Sequence, residues 1–340
     1  MPELPEVESL ARFVAARAAG RRFERIEVLS FAAVKTASPP PSALVGRTIA
    51  TAMRRGKWFL VETAAGNRAA GNRATGEDGA GIDGQARLFL AVHFSRAGWL
   101  AWHDAPAAVR VGAPANGGGS GSAAGARAAS DPSLRAAPRA AARLPGRSPL
   151  AFRATLDDGA GFDLTEAGTQ KRLAIHVVGA PEDVERIRTL GPDPLDASFD
   201  ADALGSILAG RTGRIKYVLS DQALLAGVGN AYSDEALHAA RLSPFKPAAN
   251  LTHDEVERLH DALVLLLREA VARSAGLPAS GLKADKKSSM RVHGRTGLAC
   301  PVCGDTVREV SFADRSLQYC PTCQTGGRPL ADRRLSRLLK

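Results

Sequence analysis

The four cysteines constrain this chain more than any other feature. They fall as Cys300-Pro301-Val302-Cys303 and Cys320-Pro321-Thr322-Cys323, two C-x2-C pairs separated by sixteen residues. Each pair at that spacing forms one knuckle, and two knuckles supply four thiolates to a tetrahedral zinc ion. The segment between them must then fold back as a hairpin. Four thiolates leave no open coordination position for a reacting water, so one structural zinc is expected. A disulfide pairing is the competing reading. Two close pairs with no cysteine left over favour metal, and the acidic N-terminus is no secretory leader. His293 is a spare candidate ligand that four thiolates do not need.

The opposite end carries a second signal. The chain opens Met1-Pro2-Glu3-Leu4-Pro5-Glu6-Val7-Glu8. Removal of Met1, usual before a small second residue, would leave Pro2 as a free secondary amine. An α-amino group has a pKa of about 7.7–8.0, so a good fraction is nucleophilic at neutral pH. Attack on a sugar aldehyde carbon gives a cationic imine, an electron sink that weakens neighbouring bonds. Glu3 is then a candidate general acid or base. The alternative is that Pro2 and Pro5 simply lead into the first helix, Pro5 at a tolerated first-turn position.

Periodicity organises the remainder into an α+β chain. Val7, Leu10, Ala11 and Val14 share one helical face, which predicts a helix from about Pro5 to Ala18. Short alternating segments follow at 23–29, 48–54, 57–62, 87–93, 98–102, 150–156, 161–164 and 173–178, the strands of a β-sandwich or open barrel. Two stretches interrupt them. Residues 64–85 include a direct repeat, and residues 104–149 are rich in Gly, Ala and Arg. Neither can bury apolar surface, so both are expected to be disordered insertions.

From Pro181 the pattern turns helical. Thr252 and Glu255 form a capping box for a long helix whose face is Val256, Leu259, Leu263, Leu266 and Ala270. Shorter helices are expected at 215–225 and 233–240, around the turn Gly227–Asn230. A basic loop at 283–287 leads to the cysteines. The expected units are 1–180, 181–290 and 291–340.

Charge points to an anionic partner. The formal net charge is +10, and residues 281–340 carry 12 Lys+Arg against 5 Asp+Glu. That clustering sets the excess beside the cysteine module, where a nucleic-acid backbone could sit. With no apolar run of eighteen residues, the chain is expected in the cytoplasm, where thiols stay reduced.

Five stretches together resemble the formamidopyrimidine-DNA glycosylase and endonuclease VIII family of base-excision repair enzymes. They are Pro2–Glu8, Arg54-Arg55-Gly56-Lys57-Trp58, Asp221-Gln222 with Gly227-Val228-Gly229-Asn230-Ala231-Tyr232-Ser233-Asp234-Glu235, Val292-His293-Gly294-Arg295, and Tyr319-Cys320-Pro321-Thr322-Cys323-Gln324. The resemblance spans both termini and the helical segment. It implies an N-terminal helix with a β-sandwich, a helix–two-turns–helix domain and a C-terminal zinc-finger hairpin.

The function it implies is a bifunctional DNA glycosylase/AP lyase. Such an enzyme acts as a monomer on duplex DNA containing an oxidised base or an abasic site. Pro2 forms the imine, Glu3 assists proton transfer, and β- and δ-elimination follow. Lys57, on its own a solvated strand-edge lysine, becomes the group that meets the phosphate beside the lesion. Glu6, otherwise a favourable first-turn acid, orients the site. Arg315, otherwise a surface residue between the cysteine pairs, becomes a phosphate clamp suited by its bidentate fork. Asn230 and His93 become DNA contacts, and the amides of the glycine turn, otherwise an ordinary interhelix turn, face phosphate.

Departures fall in one region. Arg96 stands where many relatives carry a methionine that fills the gap left by the flipped nucleotide. The arginine–phenylalanine loop that probes the opposite strand is not visible, and Arg172 substitutes only loosely. These departures keep open a non-enzymatic damaged-DNA-binding protein as the rival reading. A zinc-ribbon scaffold for protein partners is a more distant third.

Overall fold

Helix α1 (Leu4–Ala18) joins the two largest apolar cores among the described residues. In the computed structural model, residues 1–65, 86–105, 149–167, 169–312 and 316–331 are described. The insertions expected at 64–85 and 104–149 fall, except for their end residues, outside the described residues. Val7, Leu10 and Val14 of α1 are fully buried in the first core, one helical turn apart as the sequence pattern requires. Leu4, at the other end of the same helix, is fully buried in the second core.

The first core lies between two four-stranded antiparallel sheets. Their strands are β1 (Phe23–Val28), β2 (Ile49–Arg55), β3 (Trp58–Thr63), β4 (Phe89–His93), β5 (Gly98–His103), β6 (Leu150–Leu156), β7 (Gly161–Glu166) and β8 (Ala174–Val178). One sheet has the order β1-β6-β7-β5 and the other β2-β3-β4-β8. Phe59 of β3 meets Phe162 of β7 edge-on across the sandwich at 6.4 Å between centroids. The eight segments read from alternation are these eight strands, with no end moved by more than two residues.

The second core is helical, built chiefly from α3 (Ala201–Leu208), α4 (Ile215–Ser220), α5 (Asn230–Ala239) and α6 (His253–Ser274). Helix α2 (Glu185–Arg188) packs Ile187 in a separate cluster with Trp58 and Leu60, and α7 (Leu282–Ser289) buries Leu282 in the first core. The Thr252–Glu255 capping box opens α6 as expected. Three local expectations need correction. Helix α4 stops at Ser220 rather than 225, because the Asp221 carboxylate accepts the Ala223 N–H and the Gln222 amide donates to the Ser220 and Val228 carbonyls. These side chains compete with the helical ladder for backbone partners. Along α6 the expected face is incomplete: Leu266 packs half-buried against the core, and Leu267, left out of the reading, is fully buried, since it follows Val256 by eleven residues, close to three full turns. The basic segment at 283–287 is helical, as part of α7.

The C-terminal module adds a hairpin of β9 (Arg308–Ser311) and β10 (Ser316–Tyr319), then α8 (Pro321–Thr325). Among the described residues, no helix is long and apolar enough to cross a membrane.

Two neighbours on α6 give a test of this packing. Leu263 is fully buried and Leu265 is 58% exposed. Leu263→Ala is expected to cost ~2–5 kcal/mol by leaving a cavity. Leu265→Ala is expected to change stability by less than about 0.5 kcal/mol. Urea unfolding midpoints of the two variants measure the difference.

Candidate active site

Where α1 meets the helical half, its N-terminal residues are buried against the start of α5. Pro2 is buried and Glu3 is 2% exposed. The Glu3 carboxylate accepts hydrogen bonds from the backbone N–H of Gly229 at 2.7 Å and of Ala231 at 3.0 Å. A carboxylate there sits at the positive end of α5. The Glu3 N–H donates in turn to Glu6 Oε2 at 2.8 Å, and the Tyr232 hydroxyl donates to Glu6 Oε1 at 2.9 Å. Two acids one helical turn apart are thereby fixed by backbone on one side and by α5 on the other.

Burial by itself would raise the Glu3 carboxyl. The ammonium groups of Lys286 and Lys57 and the Ala231 amide outweigh that penalty and hold it at about 2. Glu3 is therefore a carboxylate throughout the physiological range. Lys57, 7% exposed, is displaced below its ordinary value by burial, with Glu3 opposing the shift. Burial also disfavours the Lys286 ammonium, but Glu3 and Glu6 more than compensate and raise it.

The glycine of the turn has a steric reason to be there. A Cβ on Gly229 would lie 2.6 Å from both Glu3 Cδ and Lys57 Nζ. Only a residue without a side chain lets the start of α5 close over both groups. This arrangement revises one expectation, because Glu3 takes the Gly229 amide and Gln222 takes the Gly227 amide, both in the turn read as facing phosphate.

Around these residues lies a cleft of about 790 Å³. Pro2, Glu3, Glu6, Lys57, Asn230 and Arg172 all line it, so residues remote in sequence converge there. Arg172 is exposed, its backbone N–H held by Glu166. Arg96 and Trp99 line the same cleft. His93 does not. It is buried beside Trp58, ring centroids 5.0 Å apart, and burial followed by Arg186 and Lys57 lowers it to about 3. Arg315 lies outside the described residues.

Comparison with known proteins places the chain in a family. Three family models match: the formamidopyrimidine-DNA glycosylase N-terminal domain over residues 1–130, the H2TH domain of the same glycosylase over 190–279, and a zinc finger found in FPG and IleRS over 297–326. The formamidopyrimidine-DNA glycosylase of Moorella thermoacetica is 34% identical over 319 residues, covering 91% of this chain and 94% of that protein. This chain belongs to the formamidopyrimidine-DNA glycosylase family.

An uncharacterized formamidopyrimidine-DNA glycosylase-like protein of Mycobacterium tuberculosis is 62% identical over 153 residues, covering 45% of this chain and 96% of that protein. Among solved structures, the MutM (Fpg) protein of Thermus thermophilus aligns with a TM-score of 0.67 and 26% identity, covering 96% of this chain and all of that one. The Lactococcus lactis Fpg in complex with abasic-site DNA aligns with a TM-score of 0.69 over 95% of this chain and 99% of that one. At 22% identity it shows the shared fold.

The zinc finger of this family member has a donor set that fits one structural Zn2+. Cys303 Sγ lies 3.3 Å from Cys320 Sγ, and Cys300 Sγ lies 3.9 Å from Cys323 Sγ. Burial and the neighbouring sulfurs raise the Cys320 thiol to about 11, so a cation is what would make the cluster stable as thiolates. His238 brings Nε2 3.3 Å from Cys300 Sγ, and its donor atom groups with those of Cys300, Cys320 and Cys323. It was not foreseen from the cysteine spacing. His293, the spare candidate, instead pairs through Nδ1 with Asp234 at 2.8 Å.

Several supporting residues were also missed. Glu235 of α5 accepts three backbone N–H groups, from Arg291, Val292 and His293, and so ties the segment entering the zinc finger to α5. Arg54 of β2 donates to Glu8 of α1 at 2.9 Å and to Asp193 at 2.5 Å, bridging the two halves. Tyr232 and Lys286 complete the acid pair. Glu235 and Tyr232 lie inside quoted motifs, but spacing gives no sign of what they hold.

Two outcomes test this construction. Gly229→Ala, by driving a Cβ into Glu3 and Lys57, is expected to cost ~1–3 kcal/mol. Gly213→Ala, with nothing within 4 Å, is expected to be near neutral by the same thermal melts. For the metal, elemental analysis should find one zinc per chain. Cys323→Ser should release it and unfold the module around 297–326, while the β-sandwich keeps its near-UV spectrum.

Proposed function

We propose that this protein is a DNA glycosylase with AP lyase activity that removes oxidised bases from duplex DNA through an imine on Pro2. The observation that carries the reading is the ionised, buried Glu3 beside Pro2 in a lysine- and arginine-lined cleft. A cleft of that charge suits a phosphate backbone. An N-glycosidic carbon is out of reach inside a stacked duplex, so the damaged nucleotide must leave the stack to enter it.

With Met1 removed, the Pro2 lone pair attacks C1′ of the extruded nucleotide and the base leaves with the electron pair of the broken bond, taking a proton from solvent. The amine proton released on attack passes to Glu3, which is present as a carboxylate and so begins as the acceptor. Glu3 then returns that proton to the ring oxygen as the sugar opens to the iminium. Its role is thus ordered: base first, acid second. The iminium acidifies the C2′ protons, and loss of one expels the 3′ phosphate by β-elimination. A second elimination expels the 5′ phosphate.

Lys57 serves these steps near the phosphate, where its lowered affinity for a proton suits an acid–base group. Glu6 orients Glu3 through its backbone. Asn230 and Arg172 grip the strand from the cleft wall. Arg315 clamps the phosphates beside the lesion, and His93, beside Trp58, contacts the DNA from outside the cleft lining. When bound, zinc holds the hairpin in shape. In this reading residues 1–180 carry the chemistry, 181–290 the helix–two-turns–helix grip, and 291–340 the zinc finger.

Borohydride trapping on duplex DNA separates an enzyme from a binder. Wild-type protein should form a covalent adduct that maps to Pro2, and an N-terminal extension should abolish it by turning the amine into an amide. Glu3→Gln should lose base excision by ~10²-fold or more, with a smaller loss on a ready-made abasic site. No adduct from correctly processed protein that binds the same DNA would make it a non-enzymatic binder.

A further inference from the structure

Of the cleft cations outside the recognised motifs, Lys286 is the one that pairs with the acids beside Pro2. Lys286 reaches in from α7 with its side chain 16% exposed. Its Nζ lies 2.7 Å from Glu6 Oε2, 3.6 Å from Glu3 Oε1 and 4.7 Å from the Tyr232 ring centroid. It also lies 3.5 Å from the carbonyl oxygen of Met1. That carbonyl is bonded to the Pro2 nitrogen, through C=O and C–N bonds of about 1.2 and 1.3 Å. The ammonium is thus at most about 6 Å from that nitrogen, within the range where one charge moves another group's protonation.

The charge balance around Pro2 gives this position its meaning. Two buried carboxylates beside an amine hold it as an ammonium, and an ammonium has no lone pair with which to attack. Glu3 and Glu6 are such a pair. Lys57 offsets one negative charge, and Lys286 offsets the other while occupying Glu6 directly. Tyr232, Lys283 and His293 also face this point, and Arg96, Arg172 and Lys287 line the same cleft.

We propose that Lys286 is a positioning residue for the nucleophile: by binding the Glu3–Glu6 pair it prevents the two carboxylates from clamping Pro2 as an ammonium. The freed amine therefore stays largely unprotonated at neutral pH. The terminal amine of Met1 follows the same logic, lowered first by burial and next by Lys286. The proposal rests on the reading of Pro2 as nucleophile, and its first test does not depend on catalysis.

That test is an NMR titration of the Pro2 amine in protein labelled with 15N-proline, Met1 removed and zinc present. Wild type is compared with Lys286→Gln, Lys286→Met and Lys286→Arg. Lys286→Gln keeps a donor toward Glu6 without the charge, so it covers the case in which Lys286→Met fails to fold. The two neutral variants should raise the amine's midpoint, and Lys286→Arg should match wild type. An unchanged midpoint in a folded neutral variant overturns the proposal, whether or not the protein cleaves DNA.

Single-turnover borohydride trapping on an abasic duplex is the second measurement. Lys286→Gln should lose about tenfold more rate at pH 6 than at pH 9, and Lys286→Arg should recover the wild-type profile. Equal losses at both pH values would make Lys286 merely structural and overturn the proposal. An adduct mapped to Lys286 would overturn it as well, by making the lysine the nucleophile. A wild-type protein that traps nothing, yet shows the amine shift, would defeat the lyase reading and leave this proposal standing.

Discussion

Everything at the centre of this molecule depends on keeping Glu3 ionised in a place with almost no water. An isolated buried carboxylate is costly enough that it would normally take up a proton. Here the charge is met by three amides at the start of α5 and by Lys57 and Lys286. None of those partners works alone. The amides need α5 to begin at Asn230, the approach of α5 needs Gly229 to lack a Cβ, and Lys286 needs α7 to be helical. The site and the junction between the two cores are accordingly one structure.

The surroundings repeat that solution with other residues. Asp234 is 1% exposed and is met by Lys216 at 2.6 Å and His293 at 2.8 Å. Glu235, its neighbour, is met by three backbone amides of the segment entering the zinc finger. A buried pair of this kind adds little net stability, but removing one partner strands the other. Its value is positional. Helix α5 thereby faces the acid pair at its first turn and carries the zinc finger on its flank. The Arg54 bridge to Glu8 and Asp193 does the same for the sandwich.

The strands and the long helix were legible in the sequence because burial there follows a simple period. Alternation marks one wall of a sandwich, and a capping box with an apolar stripe marks α6. The errors fall where side chains override the backbone pattern. Asp221 and Gln222 end α4 early by binding main-chain groups, which no hydrophobic count registers. The lysines at 283–287 looked like a loop because a charged segment shows no core-facing stripe. Leu282 is the one residue of α7 that packs as core.

The zinc finger, the eight strands and the identity of the residues at Pro2, Glu3, Glu6 and Lys57 could be read along the chain. Metal-ligand spacing and apolar period are local properties, written in sequence order. The state of those groups was settled only in three dimensions. Packing made Glu3 a carboxylate, brought His238 beside the cysteines, paired His293 with Asp234, and buried His93 beside Trp58. Each outcome follows from burial and from charges supplied by distant elements. Such terms depend on distance in space, which spacing along the chain does not record.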